Sequence, residues 1–264
     1  MLANKLKLPT ARIHRQIKKL HGWWLHRAKK SIFNRQDQWD VLILLDGCRY
    51  DTFKKVNFLP GKLEKLISVE SCTEDWAQAS LTQTYPAIVY VSANPFLSHY
   101  YLTKHGQAKC FFHLEEVWDD GWDKQLRTVP PQIVTQAGLK MLKKYPQKKL
   151  FLHYMQPHHP FIGKTRFQEY GWLNAHQPKP AKQKIIYELL KEGKVDRQQV
   201  IQAYEENLIL VLQAIQPILD QAKNKQVVIT SDHGNGFGEA GIYAHPAKLY
   251  VPELLEVPWF KVAV

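Results

Sequence analysis

An aspartate and a histidine stand side by side at Asp232 and His233, directly after the apolar residues Val227, Val228 and Ile229 and just before Gly234 and Gly236. A carboxylate and a neutral imidazole are both common ligands of divalent cations. A second carboxylate, Asp46, follows another apolar run, Val41–Leu45, and is itself followed by Gly47. If the two runs are neighbouring strands of a parallel sheet, Asp46 and the Asp232-His233 pair meet at one edge. Two carboxylates and an imidazole there supply most of a cation site, in the crevice where open α/β sheets bind ligands. A polar strand end closed by a glycine turn would explain either motif alone; the repetition points to chemistry.

Other residues could complete such a site. In Ser71-Cys72-Thr73, either hydroxyl could cap a helix that begins there. Alternatively, one of the three side chains is a nucleophile, because a hydroxyl or thiol beside a cation ionises more readily. The local sequence does not separate them. His158 and His159 lie between Pro157 and Pro160, which restrict the backbone where an imidazole must be aimed; His158 is the one expected to face inward. His153 reads as a hydrogen-bonded core residue or one that orients a ligand. His245 follows the Asp232-His233 turn closely enough to reach the same crevice. Arg49 could pair with Asp51, itself a helix-start carboxylate, or face an anionic substrate.

To hold these groups the chain must supply buried strands with polar ends. Strands are predicted at Val41–Leu45, 87–93, 109–114, 149–155, from 226, and in a closing segment over 254–264. Helices are predicted over 96–104, over 132–145 behind Pro130 and Pro131, over about 185–190, and over 197–223 with a broad apolar face. Residues 162–196 read as an excursion over the surface. Trp118 and Trp122 flank a turn and are assigned to packing. The order strand, excursion, helix, strand is that of a right-handed parallel crossover.

The 264 residues carry a net charge of +12, and residues 1–36 hold ten Lys or Arg and no acidic residue. The basic charge therefore belongs to an appended arm rather than to the remaining 37–264, so a nucleic-acid-binding domain is not expected. Within the arm, Ile13, Ile17, Leu20 and Trp24 form one helical stripe over residues 10–33. That stripe could pack on the domain, lie on an anionic membrane with Trp23 and Trp24 at headgroup level, or leave the basic residues around it to contact nucleic-acid phosphates. Cys48, Cys72 and Cys110 cannot all pair and show no CxxC spacing, which favours a reducing compartment. With no apolar signal segment at the amino terminus, a cytoplasmic location, peripheral at the membrane if the arm binds there, is the expectation.

Taken in order, VLILLDGCRYD, SCTEDW, HYMQPHHPF, VVITSDHGNGFGE, the later HP and LLEVPW resemble the sulfatase-like branch of the alkaline phosphatase superfamily, from about residue 40 onward. The resemblance implies an α/β fold, a mostly parallel central sheet flanked by helices on both faces. It implies one or two divalent cations per chain (Mn, Zn, Mg or Ca). Asp46, Asp232, His233 and the nucleophile, by position Thr73 with Cys72 and Ser71 behind it, would hold the first. His158 and His245 would bind a second or hold the transferred anion. The run Cys72-Thr73-Glu74-Asp75-Trp76 lacks the Pro and Arg of a formylglycine signature, which shifts the expectation from sulfate to phosphate esters. Tyr154 stands where two-metal members carry an Asp. The implied activity is metal-dependent hydrolysis or transfer of an anionic ester, with a glycan or lipid-linked phosphate among the candidate substrates. The competing reading is a catalytically silent domain with a structural metal, recruited by its arm to a membrane or polyanion.

Overall fold

The computed structural model describes residues 32–34, 39–107, 109–167 and 184–263. The basic helix expected over residues 10–33 and the boundary at residue 36 lie outside these residues, apart from the 3-10 turn Ile32–Asn34.

Strand β1 (Val41–Leu45) is fully buried because it has protein on both faces. Val41, Ile43 and Leu45 enter one hydrophobic cluster, and Leu42 and Leu44 enter another across the sheet. A continuous apolar run is what two-sided burial demands of a parallel strand. The other strands are β2 (Gly61–Ile67), β3 (Tyr85–Ser92), β4 (Phe111–Glu116), β5 (Lys149–Tyr154), β6 (Val227–Thr230), the short pair β7 (Gly236–Phe237) and β8 (Tyr243–Ala244), and β9 (Glu256–Val262). Seven of them form one sheet in the order β2-β9-β6-β1-β5-β3-β4. β1 is parallel to both β5 and β6, with Leu44 opposite His153 on one side and Thr230 on the other. β3 is parallel to β5 and β4. Only β9 runs against its neighbours, β6 and β2.

Helices cover both faces. On one side, α1 (Tyr50–Val56), α5 (Pro131–Lys144), α7 (Arg197–Ala214) and α8 (Gln216–Gln221) pack Phe53, Val134, Met141, Leu208, Val211 and Ile218 onto the sheet. On the other, α2 (Thr73–Ser80) and α3 (His99–Lys104) contribute Trp76, Ala77, Tyr101 and Leu102. The remaining helices are α4 (Val117–Asp120), α6 (Ile186–Lys191) and α9 (Pro252–Leu255).

Several elements differ from the sequence reading, three of them in the sheet or its longest helix. β2 is a strand absent from those predicted, since its burial pattern is mostly exposed and half-exposed and gives no apolar run. The single helix over 197–223 is two, α7 and α8, with Pro217 in the first turn of the second. Proline lacks the N–H that a continuous helix would need there. The closing strand over 254–264 begins instead with α9, and only Glu256–Val262 joins the sheet.

Candidate active site

The carboxyl ends of β1, β3, β5 and β6 converge. Asp46 follows β1, Asn94 follows β3, His153 lies in β5 with His158 beyond its end, and Asp232 and His233 follow β6. The two aspartates are drawn together by backbone. Asp232 Oδ1 accepts from Gly47 N (3.0 Å) and from His233 N (2.9 Å), and Ser231 Oγ accepts from Cys48 N (2.8 Å). Gly47 has φ +66°, and a Cβ there would lie 2.5 Å from Asn235 Nδ2. Both facts reserve the position for glycine.

Asp46, His153 and Asp232 each offer a ligand atom, all within 4.8 Å of one another and all buried. Asp46 Oδ2 accepts from Asn94 Nδ2 (2.8 Å), whose own Oδ1 is held by Phe96 N (2.9 Å). Asp46 Oδ1 accepts no hydrogen bond among the described residues. His233 Nδ1 donates to Gly234 O (2.8 Å), so its Nε2 turns a lone pair to the cluster, 3.8 Å from Asp46 Oδ1 and 3.4 Å from Asp232 Oδ2. His153 Nδ1 is held by the Tyr90 hydroxyl (2.9 Å), and its Nε2 lies 3.7 Å from Asp46 Oδ2. Burial pushes the Asp46 carboxyl up, but the surrounding imidazoles, His158 first, then His153 and His233, outweigh it and hold the group well below the usual carboxylate range.

Two ionised carboxylates in one buried pocket repel each other strongly unless a positive charge lies between them. The orphaned Asp46 oxygen and the His233 lone pair are the donor set of a divalent cation. These residues fit a metal ion.

The structure gives the side chains of Ser71, Cys72 and Thr73 three different surroundings. Thr73 is the first residue of α2, and its hydroxyl lies 2.7 Å from Asp232 Oδ2 and 3.1 Å from His233 Nε2. Ser71 Oγ is committed elsewhere, donating to Pro246 O (2.9 Å) and accepting from Leu249 N (3.2 Å). Cys72 is the helix N-cap and makes no side-chain cap bond. Burial drives its thiol up to about 11 despite a backbone hydrogen bond, so little thiolate forms at neutral pH. Neither Ser71 nor Thr73 caps α2, which corrects that expectation.

His158 and His245 come together, Nε2 to Nε2 at 2.9 Å. His158 Nδ1 donates to His159 O (2.7 Å), and the His245 ring stacks on His233 at 4.4 Å between centroids. Burial first, then the neighbouring charges of His233 and His158, keeps His245 well below the ordinary imidazole value. Arg49 is not brought to the cluster. Its guanidinium is held by Asp51 (2.5 Å), Glu239 (2.8 Å) and Asn235 O (3.1 Å), which makes it a brace for the loop after Asp232 rather than a group facing substrate.

Beside the cluster lies a cavity of about 280 Å³ whose lining includes Asp46, Thr73, Asn94, His158 and His245 together with Phe96, Trp122, Arg127, Met155 and Ile185. Asn94 and Trp122 were not among the residues expected here. Asn94 sits two residues past β3 in an Asn-Pro pair that reads as a turn. Trp122, assigned to packing, does pack on the core but also walls the cavity.

No protein-family profile and no curated protein sequence matches the chain. Solved structures do. The soluble domain of lipooligosaccharide phosphoethanolamine transferase A from Neisseria meningitidis aligns with a TM-score of 0.57 at 14% identity, over 87% of this chain and 78% of that one. The C-terminal periplasmic domain of a phosphoethanolamine transferase from Campylobacter jejuni gives 0.51 at 14%, over 88% and 82%. A Bacteroides thetaiotaomicron protein assigned as a sulfatase gives 0.54 at 12%, over 86% of this chain and 65% of that one. The chain therefore has the alkaline phosphatase/sulfatase-like fold, as its motifs lead one to expect.

Proposed function

We propose that the chain is a metal-dependent hydrolase or transferase of phosphate esters in which Thr73 is the nucleophile. The observation that carries this reading is the position of the Thr73 hydroxyl, 2.7 Å from Asp232 Oδ2 and 3.1 Å from His233 Nε2 at the mouth of a cavity. Asp46, Asp232, His233 and Thr73 would hold the divalent cation, with His153 beside them. When bound, the cation lowers the pKa of the hydroxyl and neutralises charge on the reacting ester. Asp232 orients Thr73 by taking its hydroxyl proton in a hydrogen bond, which leaves an oxygen lone pair to attack phosphorus. As the Thr73 oxygen bonds to phosphorus its proton leaves to water, and the ester bond to the alcohol breaks with the departing oxygen taking a proton from water. The phosphoryl group then passes from Thr73 to water or to a second acceptor hydroxyl. His158 and His245 line the same cavity. Both His158 nitrogens are engaged, so His245 Nδ1, unsatisfied among the described residues, is the atom suited to a non-bridging oxygen, with His158 positioning its ring. A phosphate ester is favoured over a sulfate ester because Cys72 carries no formylglycine signature and its thiol is held protonated.

Aryl phosphate, phosphodiester and aryl sulfate should be offered to purified protein with Mn, Zn or Mg added. Turnover of a phosphate ester that survives in Cys72→Ala and is lost in Thr73→Ala is the expected result. Activity retained by Thr73→Ala, or no turnover with any cation, would overturn the assignment. The arm supplies a separate attachment to anionic surfaces, read by sedimentation with anionic but not neutral vesicles.

A further inference from the structure

One part of the cavity lining has its own construction. Trp122, Arg127 and Thr128 all belong to it and all come from one tight loop. Asp123 N donates to Thr128 O (2.9 Å) and Arg127 N to Asp123 O (2.7 Å). Asp123 Oδ1 accepts from Gln125 N (2.7 Å) and Leu126 N (2.8 Å). Arg127 is held at φ +55°, in the left-handed region that side chains other than glycine adopt at a cost. Such strain collects where a loop is shaped for a ligand. Thr128 is buried, and Trp122 is backed by the main core, so this wall is rigid.

Beside the polar cluster, Phe96, Trp122, Met155 and Ile185 present apolar surface to the cavity. Among the described residues the lining holds no carboxylate other than Asp46, whose Oδ2 is committed to Asn94. An ammonium-bearing alcohol such as ethanolamine would find no carboxylate among the described lining residues beyond Asp46, which is engaged with Asn94 and the proposed cation site. The volume, about 280 Å³, is at the lower end for small-ligand pockets, enough for a phosphate and a short apolar group.

Resting on the ester chemistry proposed for this site, we infer that the Trp122–Met155 wall selects esters whose alcohol portion is neutral and apolar, and disfavours amine-bearing ones. Trp122 is the specificity-determining residue. Phosphonates test this without turnover, because their carbon–phosphorus bond is not an ester. Calorimetry on the cation-loaded wild-type protein should rank phenyl- and hexylphosphonate at least about tenfold tighter than 2-aminoethylphosphonate, since each buried methylene is worth roughly fourfold in affinity. Trp122→Ala should remove most of that preference while leaving aminoethylphosphonate binding within about twofold, and Trp122→Phe should keep part of it. Equal or tighter binding of the aminoethyl compound, no binding of any phosphonate, or an unchanged ranking in folded Trp122→Ala protein would overturn the inference. If the ranking holds but no ester is turned over, the specificity stands and the proposed reaction fails.

Discussion

Asn94 Nδ2 donates to Asp46 Oδ2 at 2.8 Å, and this one bond decides which oxygen of the carboxylate faces the cluster. The Asn94 amide cannot turn over without losing Phe96 N, so Oδ1 of Asp46 is presented by a fixed support. Supports of this kind tune metal affinity without touching the ion. Asn94→Ala should weaken divalent-cation binding by about tenfold to a hundredfold, measured by competition against a chelating dye. Unchanged affinity would remove Asn94 from the site.

The buried pair Asp46 and Asp232 makes the fold itself sensitive to the cation. A ligand that binds only the native state stabilises it by mass action, and here it also relieves carboxylate repulsion. Chelation should lower the melting temperature by roughly 5 °C or more, and added Mn, Zn or Mg should restore it. Asp46→Asn should shrink the difference between the two states. Identical melting curves with and without chelator would count against a metal in this pocket.

Ser71 and Thr73 should behave oppositely. The Ser71 hydroxyl is buried between Pro246 O and Leu249 N, so Ser71→Ala should cost about 1–3 kcal/mol of stability while activity per folded molecule is kept. Thr73→Ala should lower kcat by about 10³-fold or more with a smaller effect on unfolding. Denaturant titration and initial rates on the same preparations give both numbers.

Acid should act through the brace around Arg49. Burial tends to raise the carboxyls of Asp51 and Glu239, but their hydrogen bonds and ion pairs with Arg49 outweigh it and hold both below their ordinary values of 3.8 and 4.5. Their native pKa values are depressed, so the stability they lend is complete above the unfolded values. It is lost as pH falls through the native ones. Urea unfolding followed from about pH 7 to pH 3 should show a fall confined to the acid end, and Glu239→Gln should make that limb shallower. A steeper limb in the variant would contradict the assignment.

Much of this site is legible in the sequence because strands buried on both faces announce themselves. Val41–Leu45 and the run ending at Thr230 have no polar residue before their ends, so the first carboxylate after each marks the sheet edge. His158 and His245 are legible for a weaker reason, imidazoles in loops near that edge. Asn94 is not, because one amide after a strand looks like any turn residue and its meaning depends on β3 lying next to β5. Arg49 is ambiguous, since pairing with Asp51 and facing a substrate predict the same local sequence. Only Glu239, far along the chain, settles it. β2 escapes notice because its register with β9, Leu63 opposite Phe260, is written in its partner rather than in its own alternation.

The position of β9 has a consequence for biosynthesis. It pairs with β6 and β2 at once, so an inner strand is made after both of its neighbours. Until residues 256–262 leave the ribosome, β6 carries an open backbone edge and β2 has nothing to join. Open edges recruit other chains. Nascent protein stalled before that point is therefore where self-association should begin.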